Sequence, residues 1–405
     1  MKKIVLFYGY SQHNAGDMAI TIGALDLLVS LGNVRITVVS RFDENSILFK
    51  SSREYLLSRY PNLEILPCPF ILDRDGSTYN QLKNYCLSLL TLLGIRKRGF
   101  FKKVIQNSDL VFFNGGNLIR CSSNADFIRL IALFKPLRVA KSLGKKYFIL
   151  PQSSAKINSF GRKMIGKTLD DASLTFVREE LSYNKLVNEY PNALLHQSYD
   201  CALFVKDKFK LAEKKSKSKS VAITVRGLGL GDLADLPTIE RDLIKSRVLD
   251  IAKKASLEGY EIIFVVQTEK DYTFTNEIKT EFDSCTVINS DGNSTLFHSD
   301  DPIALAKFYS NIDLLVGMRL HSIILAVSQG TPCYGVFHED WGLKNPGFMN
   351  LFGLKFELIH DKSELESIDS YCAENVGFYA SSKDKIETER DFIIKTIESS
   401  LYHSE

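Results

Sequence analysis

Residues 314–337 read LLVGMRLHSIILAVSQGTPCYGVF. Leu314–Val316 is apolar without alternation, the pattern of a strand covered on both faces. Ser322–Ser328 reads as a helix and Tyr334–Phe337 as a second strand. Strand, helix and strand at this spacing make a βαβ unit, and such units build a parallel sheet. Gly317-Met318-Arg319-Leu320-His321 is then the strand-to-helix turn, and it sets two polar side chains that are costly to bury into apolar surroundings.

The same grammar extends to both sides. Upstream, Ile4–Tyr8, Val34–Val39, Leu63–Leu66, Leu110–Phe113, Tyr147–Leu150 and Leu174–Val177 read as buried strands, with helical stretches such as Met18–Leu31 and Ile128–Ser142 between them. Residues 206–220, KDKFKLAEKKSKSKS, break the pattern: charge and serine leave too little apolar surface to order the segment by itself, as in a linker. A second series follows, with strands at Val221–Val225, Ile262–Val266, Thr286–Ile288, Leu314–Val316 and Tyr334–Phe337. Its helices include Leu243–Ser256 and Ile303–Tyr309, and Lys385–Leu401 is amphipathic enough for a terminal helix. The expected fold class is α/β, with two doubly wound Rossmann-like domains facing a cleft. The expected boundaries are 1–205, a linker at 206–220, 221–370, and a helical segment at 371–405.

Bulk properties agree. The 405 residues exceed the ~150 of one typical domain. Fifty-one basic against 48 acidic side chains leave a net charge of +3, too balanced to point to nucleic acid. Local basic runs, Arg96-Lys97-Arg98 and Lys102-Lys103, read as solvated faces and leave peripheral attachment to an anionic membrane open. The seven cysteines form no CxxC pair and no metal-ligand spacing, which suits a reducing compartment. The N-terminal apolar run is too short for a signal peptide, and Leu82–Ile95 is too short to span a bilayer. A cytosolic protein is expected.

In open α/β sheets ligands bind outside the carboxyl ends of strands, so residues that follow strands are the candidates. After the first strand come Asn14, Gly16 and Asp17. Asn14 or Asp17 suits a helix cap, and glycine lets an anion approach helix N-terminal amides. Asp17 is a simple cap or, if functional, meets hydroxyls or acts as a base. Asn114-Gly115-Gly116-Asn117 follows the fourth strand, either as a ligand-approach turn or as a tight turn into the next helix. Arg178 follows Leu174–Val177, facing the cleft or paired with its neighbours. Arg226, Gln267, Asp271, Asp200, His338, Glu339 and Asp340 are weaker strand-end candidates, while His196, His298, His360 and His403 look incidental. Arg319 and His321 form the strongest site: a rigid fork of donors for carboxylate or phosphate, and a group able to move a proton near neutral pH, both beside a helix N-terminus. The alternative for these two is a structurally paired arginine and a backbone-satisfied histidine. No HExxH, GxSxG or P-loop motif occurs.

Asn14-Ala15-Gly16-Asp17, Asn114-Gly115-Gly116-Asn117, Val177-Arg178-Glu179, Asp200 and above all Gly317-Met318-Arg319-Leu320-His321-Ser322 together resemble the polysaccharide pyruvyltransferase family, in the same order and over roughly residues 5 to 340. The family's fold is similar to the glycosyltransferase B architecture. The resemblance implies transfer of a pyruvyl group from phosphoenolpyruvate to two hydroxyls of a sugar as a cyclic ketal. The sugar would belong to a cell-surface polysaccharide, capsule or exopolysaccharide, or to its lipid-linked precursor. It implies that Arg319, His321 and Arg178 contact phosphoenolpyruvate, with a backbone contact from Leu320. Phosphoenolpyruvate enters as co-substrate, with no further cofactor and no metal. One departure stands at Pro151-Gln152-Ser153-Ser154-Ala155, where many members carry a GxSxGP-like turn. The competing reading is a nucleotide-sugar glycosyltransferase or epimerase of the same architecture. The acceptor sugar and oligomeric state are not legible in the sequence.

Overall fold

The computed structural model describes residues 1–11, 14–70, 78–207, 209, 219–229, 234–285, 294–342, 344–361, 365 and 367–402. The chain divides into two compact units. Met1–His13, Asp17–Phe204 and Glu389–Glu405 form the first; Asn14–Gly16 and Val205–Thr388 form the second.

The first unit holds β1 (Lys2–Gly9), β2 (Val34–Ser40), β3 (Glu64–Leu66), β4 (Leu110–Phe113), β5 (Gly116–Cys121), β6 (Tyr147–Ile157), β7 (Leu174–Val177) and β8 (Leu195–Gln197). Their order is β3-β2-β1-β4-β6-β7-β8, with β5 paired to β6, and every pairing is parallel. The direction of winding reverses between β1 and β4, the switch point where a crevice opens at the carboxyl ends. The apolar runs pack as expected of strands covered on both faces. Ile4, Leu6, Phe7, Phe112, Phe113 and Phe148 have no solvent exposure, and the rings of Phe112 and Phe148 stack at 5.5 Å.

The second unit repeats the design. β9 (Ser220–Thr224), β10 (Glu261–Val266), β11 (Thr295–His298), β12 (Leu314–Gly317), β13 (Cys333–Phe337) and β14 (Phe356–Leu358) run parallel in the order β11-β10-β9-β12-β13-β14. The 314–337 stretch is its centre: β12, the helix Leu320–Ser328 and β13. From Ser322 to Ser328 that helix is buried on every side, so its sequence is apolar all round rather than amphipathic.

Local details depart from the sequence reading. Of the two readings of Asn114–Asn117, the tight turn into the next helix does not hold: the segment leads into β5, and the next helix begins at Asn124. The cause is a pairing that no local pattern shows: Gly116 aligns with Gln152 and Ile119 with Ser154 of β6. The strand expected at Thr286–Ile288 lies outside the described residues, and β11 at Thr295–His298 occupies the sheet edge. The 206–220 linker also falls largely outside them. Its described parts are tied to the second unit, since Gln329 Nε2 donates to Asp207 O at 2.9 Å and Phe209 N–H donates to Gln329 Oε1 at 2.9 Å, while Ser220 opens β9. The last helix, Phe378–Tyr402, belongs to the second unit up to Thr388 and to the first from Glu389. His196, which looked incidental, fastens the latter part: its ring stacks on Phe392 at 4.2 Å and its Nε2 meets Glu389 at 3.1 Å.

Candidate functional site

The first unit gathers polar side chains at the carboxyl edge of its sheet. β1 ends in a bulge, with Tyr8 at a φ of 72°, a left-handed conformation that costs a non-glycine residue about 1–3 kcal/mol. Beyond it, the Tyr10 amide donates to Thr21 Oγ1 at 3.0 Å, and the Tyr10 hydroxyl donates to Gly115 O at 3.0 Å. Asn114 is wholly buried; its amide donates to Tyr8 O and to Thr21 Oγ1, both at 3.2 Å, and its Oδ1 accepts from Gly115 N at 2.9 Å. Gln152 donates to Asn114 O and accepts from Leu118 N. Gly115 and Gly116 lie in this lattice. A Cβ at Gly115 would press on Pro151 O, and one at Gly116, whose φ is +131°, would overlap the Tyr10 hydroxyl. Protein atoms occupy the space beside both glycines. Asn117 is half-buried and its Oδ1 is sealed from solvent, with no hydrogen-bond partner among the described residues.

Arg178, just past β7, is 8% exposed. Its Nη1 donates to Asp200, its Nε donates to Ser153 Oγ, and Glu179 Oε2 lies 3.5 Å from that Nε. Glu179 accepts in turn from Ser153 and Ser182, and Asp200 Oδ1 accepts from Ala202 N at 2.9 Å. Burial pushes the Arg178 pKa down, but the Asp200 and Glu179 carboxylates outweigh it and hold the guanidinium firmly charged. No described residue takes its Nη2. The ion pairing left open by the sequence is therefore real, and Asp200 is its main partner. Asp17 sits in the first turn of the helix Ala15–Val29.

In the second unit Arg319 is the N-cap residue of the helix Leu320–Ser328, directly after β12. Asp271, 2% exposed, grips it side-on: Nε donates to Oδ2 at 2.8 Å and Nη2 donates to Oδ1 at 2.6 Å. This two-point geometry fixes the plane of the guanidinium. Thr268 Oγ1 donates to the same carboxylate at 3.1 Å. Arg319, 8% exposed, is thus a paired arginine, and an incoming anion would share it with Asp271. His321 is partly exposed in the first turn of the helix, and Ser322 donates to Gln267, past the end of β10. Asn14–Gly16 group with this unit, and a Cβ at Gly16 would overlap the His321 imidazole. Gly16 N–H donates to Asn14 Oδ1 at 3.1 Å. Arg226, past β9, donates from Nη2 to Gly229 O at 2.7 Å and stacks over Trp341 at 4.7 Å.

A further cluster joins Glu240, His338 and His360, whose donor atoms lie within 4.8 Å of one another. Its hydrogen bonds oppose a metal. Asp340 N–H donates to His338 Nδ1 at 3.1 Å, so the proton of neutral His338 sits on Nε2, which donates to Glu240 at 3.0 Å. His360 lies between two carboxylates, with Nδ1 2.8 Å from Glu339 and Nε2 3.1 Å from Glu240.

Two Rossmann-like units with basic side chains at the ends of their strands define the glycosyltransferase B-like class. The family model for polysaccharide pyruvyl transferase matches residues 14–338, and the chain belongs to that family. Solved structures repeat the fold at low identity. A glycosyltransferase from Rickettsia africae aligns with a TM-score of 0.58 and 12% identity over 100% of this chain and 99% of its own. The UDP-GlcNAc 2-epimerase of Neisseria meningitidis, solved with UDP-GlcNAc, gives 0.57 and 14% over 98% and 99%. Anabaena HepE, solved with UDP and glucose, gives 0.55 and 12% over 98% and 100%. No curated protein matches the chain in sequence. Among the described residues, no helix is long and apolar enough to cross a membrane.

Proposed function

We propose that this protein is a cytosolic enzyme that moves a pyruvyl group from phosphoenolpyruvate to two hydroxyls of a sugar, forming a cyclic ketal. The sugar belongs to a cell-surface polysaccharide or to its precursor, free or carried on a lipid at the membrane face. The observation that carries the reading is the Gly317–Ser322 turn of a family member, with Arg319 oriented by Asp271 at a helix N-terminus and His321 within the first turn.

Phosphoenolpyruvate bears a carboxylate and a phosphate, and guanidinium groups at strand ends suit both. In the proposed scheme a proton is delivered to the methylene carbon, leaving an oxocarbenium-like centre at C2. One sugar hydroxyl attacks C2 and loses its proton to a base. The C2–O bond to phosphate then breaks, and the second hydroxyl adds to C2 to close the ketal, its proton leaving with the inorganic phosphate. Arg178 and Arg319 hold the anionic groups. His321 binds the phosphate or donates the proton, and Asp17 is the proposed base. Leu320 offers its backbone, and Asn14, Gly16, Asn117 and Arg226 line the substrate side. The scheme uses no metal and no cofactor beyond the co-substrate.

The test is incubation with phosphoenolpyruvate and candidate sugars, free and lipid-linked, reading phosphate release and a mass gain of one pyruvyl unit on the sugar. Calorimetry against UDP-sugars runs beside it. Tight UDP-sugar binding with no response to phosphoenolpyruvate would replace this proposal with a nucleotide-sugar reaction.

A further inference from the structure

Within the first unit, Arg41 and Arg129 stand beside Tyr10 at the carboxyl edge of the sheet, and Arg120 stands beside Arg129. Arg41 follows β2 directly, Arg120 lies on β5, and Arg129 projects from the early turns of the helix Asn124–Ser142. Arg41 is half-buried and its guanidinium stands over the Tyr10 ring at 5.6 Å. Arg129 is half-buried too, and Arg120 is exposed. Among the described residues, no hydrogen bond or ion pair engages any of these three guanidiniums. That separates them from Arg178 and Arg319, each held by a buried carboxylate. The nearby acids do not balance them. Asp126, in electrostatic reach of Arg120 and Arg129, also accepts from the amide and hydroxyl of Ser122, and Asp17 is close to Tyr10. Burial, followed by repulsion from Arg41 and Arg120, drives the Arg129 pKa down to about 10, which leaves that guanidinium charged at neutral pH.

Three guanidiniums with Asp126 in electrostatic reach of only two of them leave a partly desolvated excess of positive charge, which is unfavourable until an anion joins it. This one stands where open α/β sheets take ligands, and guanidinium forks match the oxygens of a phosphoryl group better than ammonium does. We infer that Arg41, Arg120 and Arg129 form an anion subsite of the first unit that takes a phosphate or diphosphate carried by the acceptor. The word acceptor rests on the function proposed above; the subsite itself does not.

Inorganic pyrophosphate is the probe, titrated calorimetrically into the full chain at low salt. Arg41→Gln and Arg129→Gln are each expected to weaken it by about 10-fold, and the double variant by about 100-fold, the loss of one and two charge-assisted contacts. Arg129→Lys should recover part of the loss. Phosphoenolpyruvate affinity should be unchanged in all of them, which also shows that the variants are folded, whereas Arg319→Ala should lose phosphoenolpyruvate and keep pyrophosphate. Parent-like pyrophosphate binding by the double variant, or no binding by the parent, overturns the subsite. If the parent binds pyrophosphate but not phosphoenolpyruvate, the proposed function fails and the subsite stands, with circular dichroism then checking the fold of the variants. Competition by UDP-N-acetylglucosamine or by vesicles bearing a polyprenyl diphosphate identifies a soluble or a lipid source. Competition by neither removes the assignment to the acceptor.

Discussion

At the scale of single residues the proposed donor site rests on paired rather than free arginines, and the pairing sets what substitution does. Arg319→Ala removes the guanidinium and is expected to weaken phosphoenolpyruvate binding at least about 100-fold, as for loss of a two-point charged contact. It also leaves Asp271 buried without its arginine, so a stability loss of about 3–5 kcal/mol should accompany it. Calorimetry and thermal melts separate the two effects, and parent-like binding by a folded variant would sink the donor assignment. Gly116→Ala places a methyl against the Tyr10 hydroxyl at a φ of +131° and is expected to cost about 1–3 kcal/mol, read by urea denaturation. A parent-like midpoint would show that the loop relaxes freely.

His360 supplies a pH test. Its hydrogen bond to Glu339 raises its pKa above the ordinary 6.5. Burial pushes the Glu339 pKa up, but the His360 contact outweighs it and holds the carboxyl low. The histidine's contribution is complete below its unfolded pKa and fades as pH rises through the raised folded value. The glutamate's is complete above its unfolded pKa and fades as pH falls through the lowered one. Together they support the fold most between about pH 4.3 and 6.5. An NMR titration should find His360 above 6.5 and bring it down in Glu339→Gln. A His360 titrating at or below 6.5 in the parent refutes the pairing.

At the scale of elements, the helix Leu320–Ser328 shows what the apolar run could convey. A helix buried on every side must be apolar all round, and that much is legible locally. Leu325 has no exposure, and Leu325→Ala should cost about 2–5 kcal/mol through lost burial and the cavity left behind. The measurement is the shift in denaturant midpoint. A loss below about 1 kcal/mol would mean that the surrounding core collapses to fill the space. β5 was not legible, because its register against β6 depends on Gln152, whose side chain reaches across to Asn114 and Leu118. The neighbours that an added Cβ would meet, Pro151 O at Gly115 and the Tyr10 hydroxyl at Gly116, were not legible either.

At the scale of the whole molecule, one chain builds two parallel sheets of the same winding and then returns to the first with its last helix. That return is fastened by the His196 stack on Phe392 and by Arg390, whose Nη2 donates to Ser30 Oγ at 2.6 Å. Phe392→Ala should speed hydrogen exchange of residues 389–402 while leaving β12 and its helix protected, because local opening follows local contacts. Uniform acceleration over both units would show that the terminal helix is part of one global unfolding step.

The class of fold and the candidate turns were legible in the order of the residues alone. Apolar runs and their spacing report burial one segment at a time, and the order of strands and helices follows from them. Which side chains meet depends on how the sheets pack. Asp200 stands 22 residues from Arg178 and Asp271 stands 48 from Arg319, while Arg41 and Arg120 come together at Arg129. Charge partners are chosen by which strand ends the sheet order brings together, and that order is a property of the packed sheet, with no periodicity along the chain to announce it.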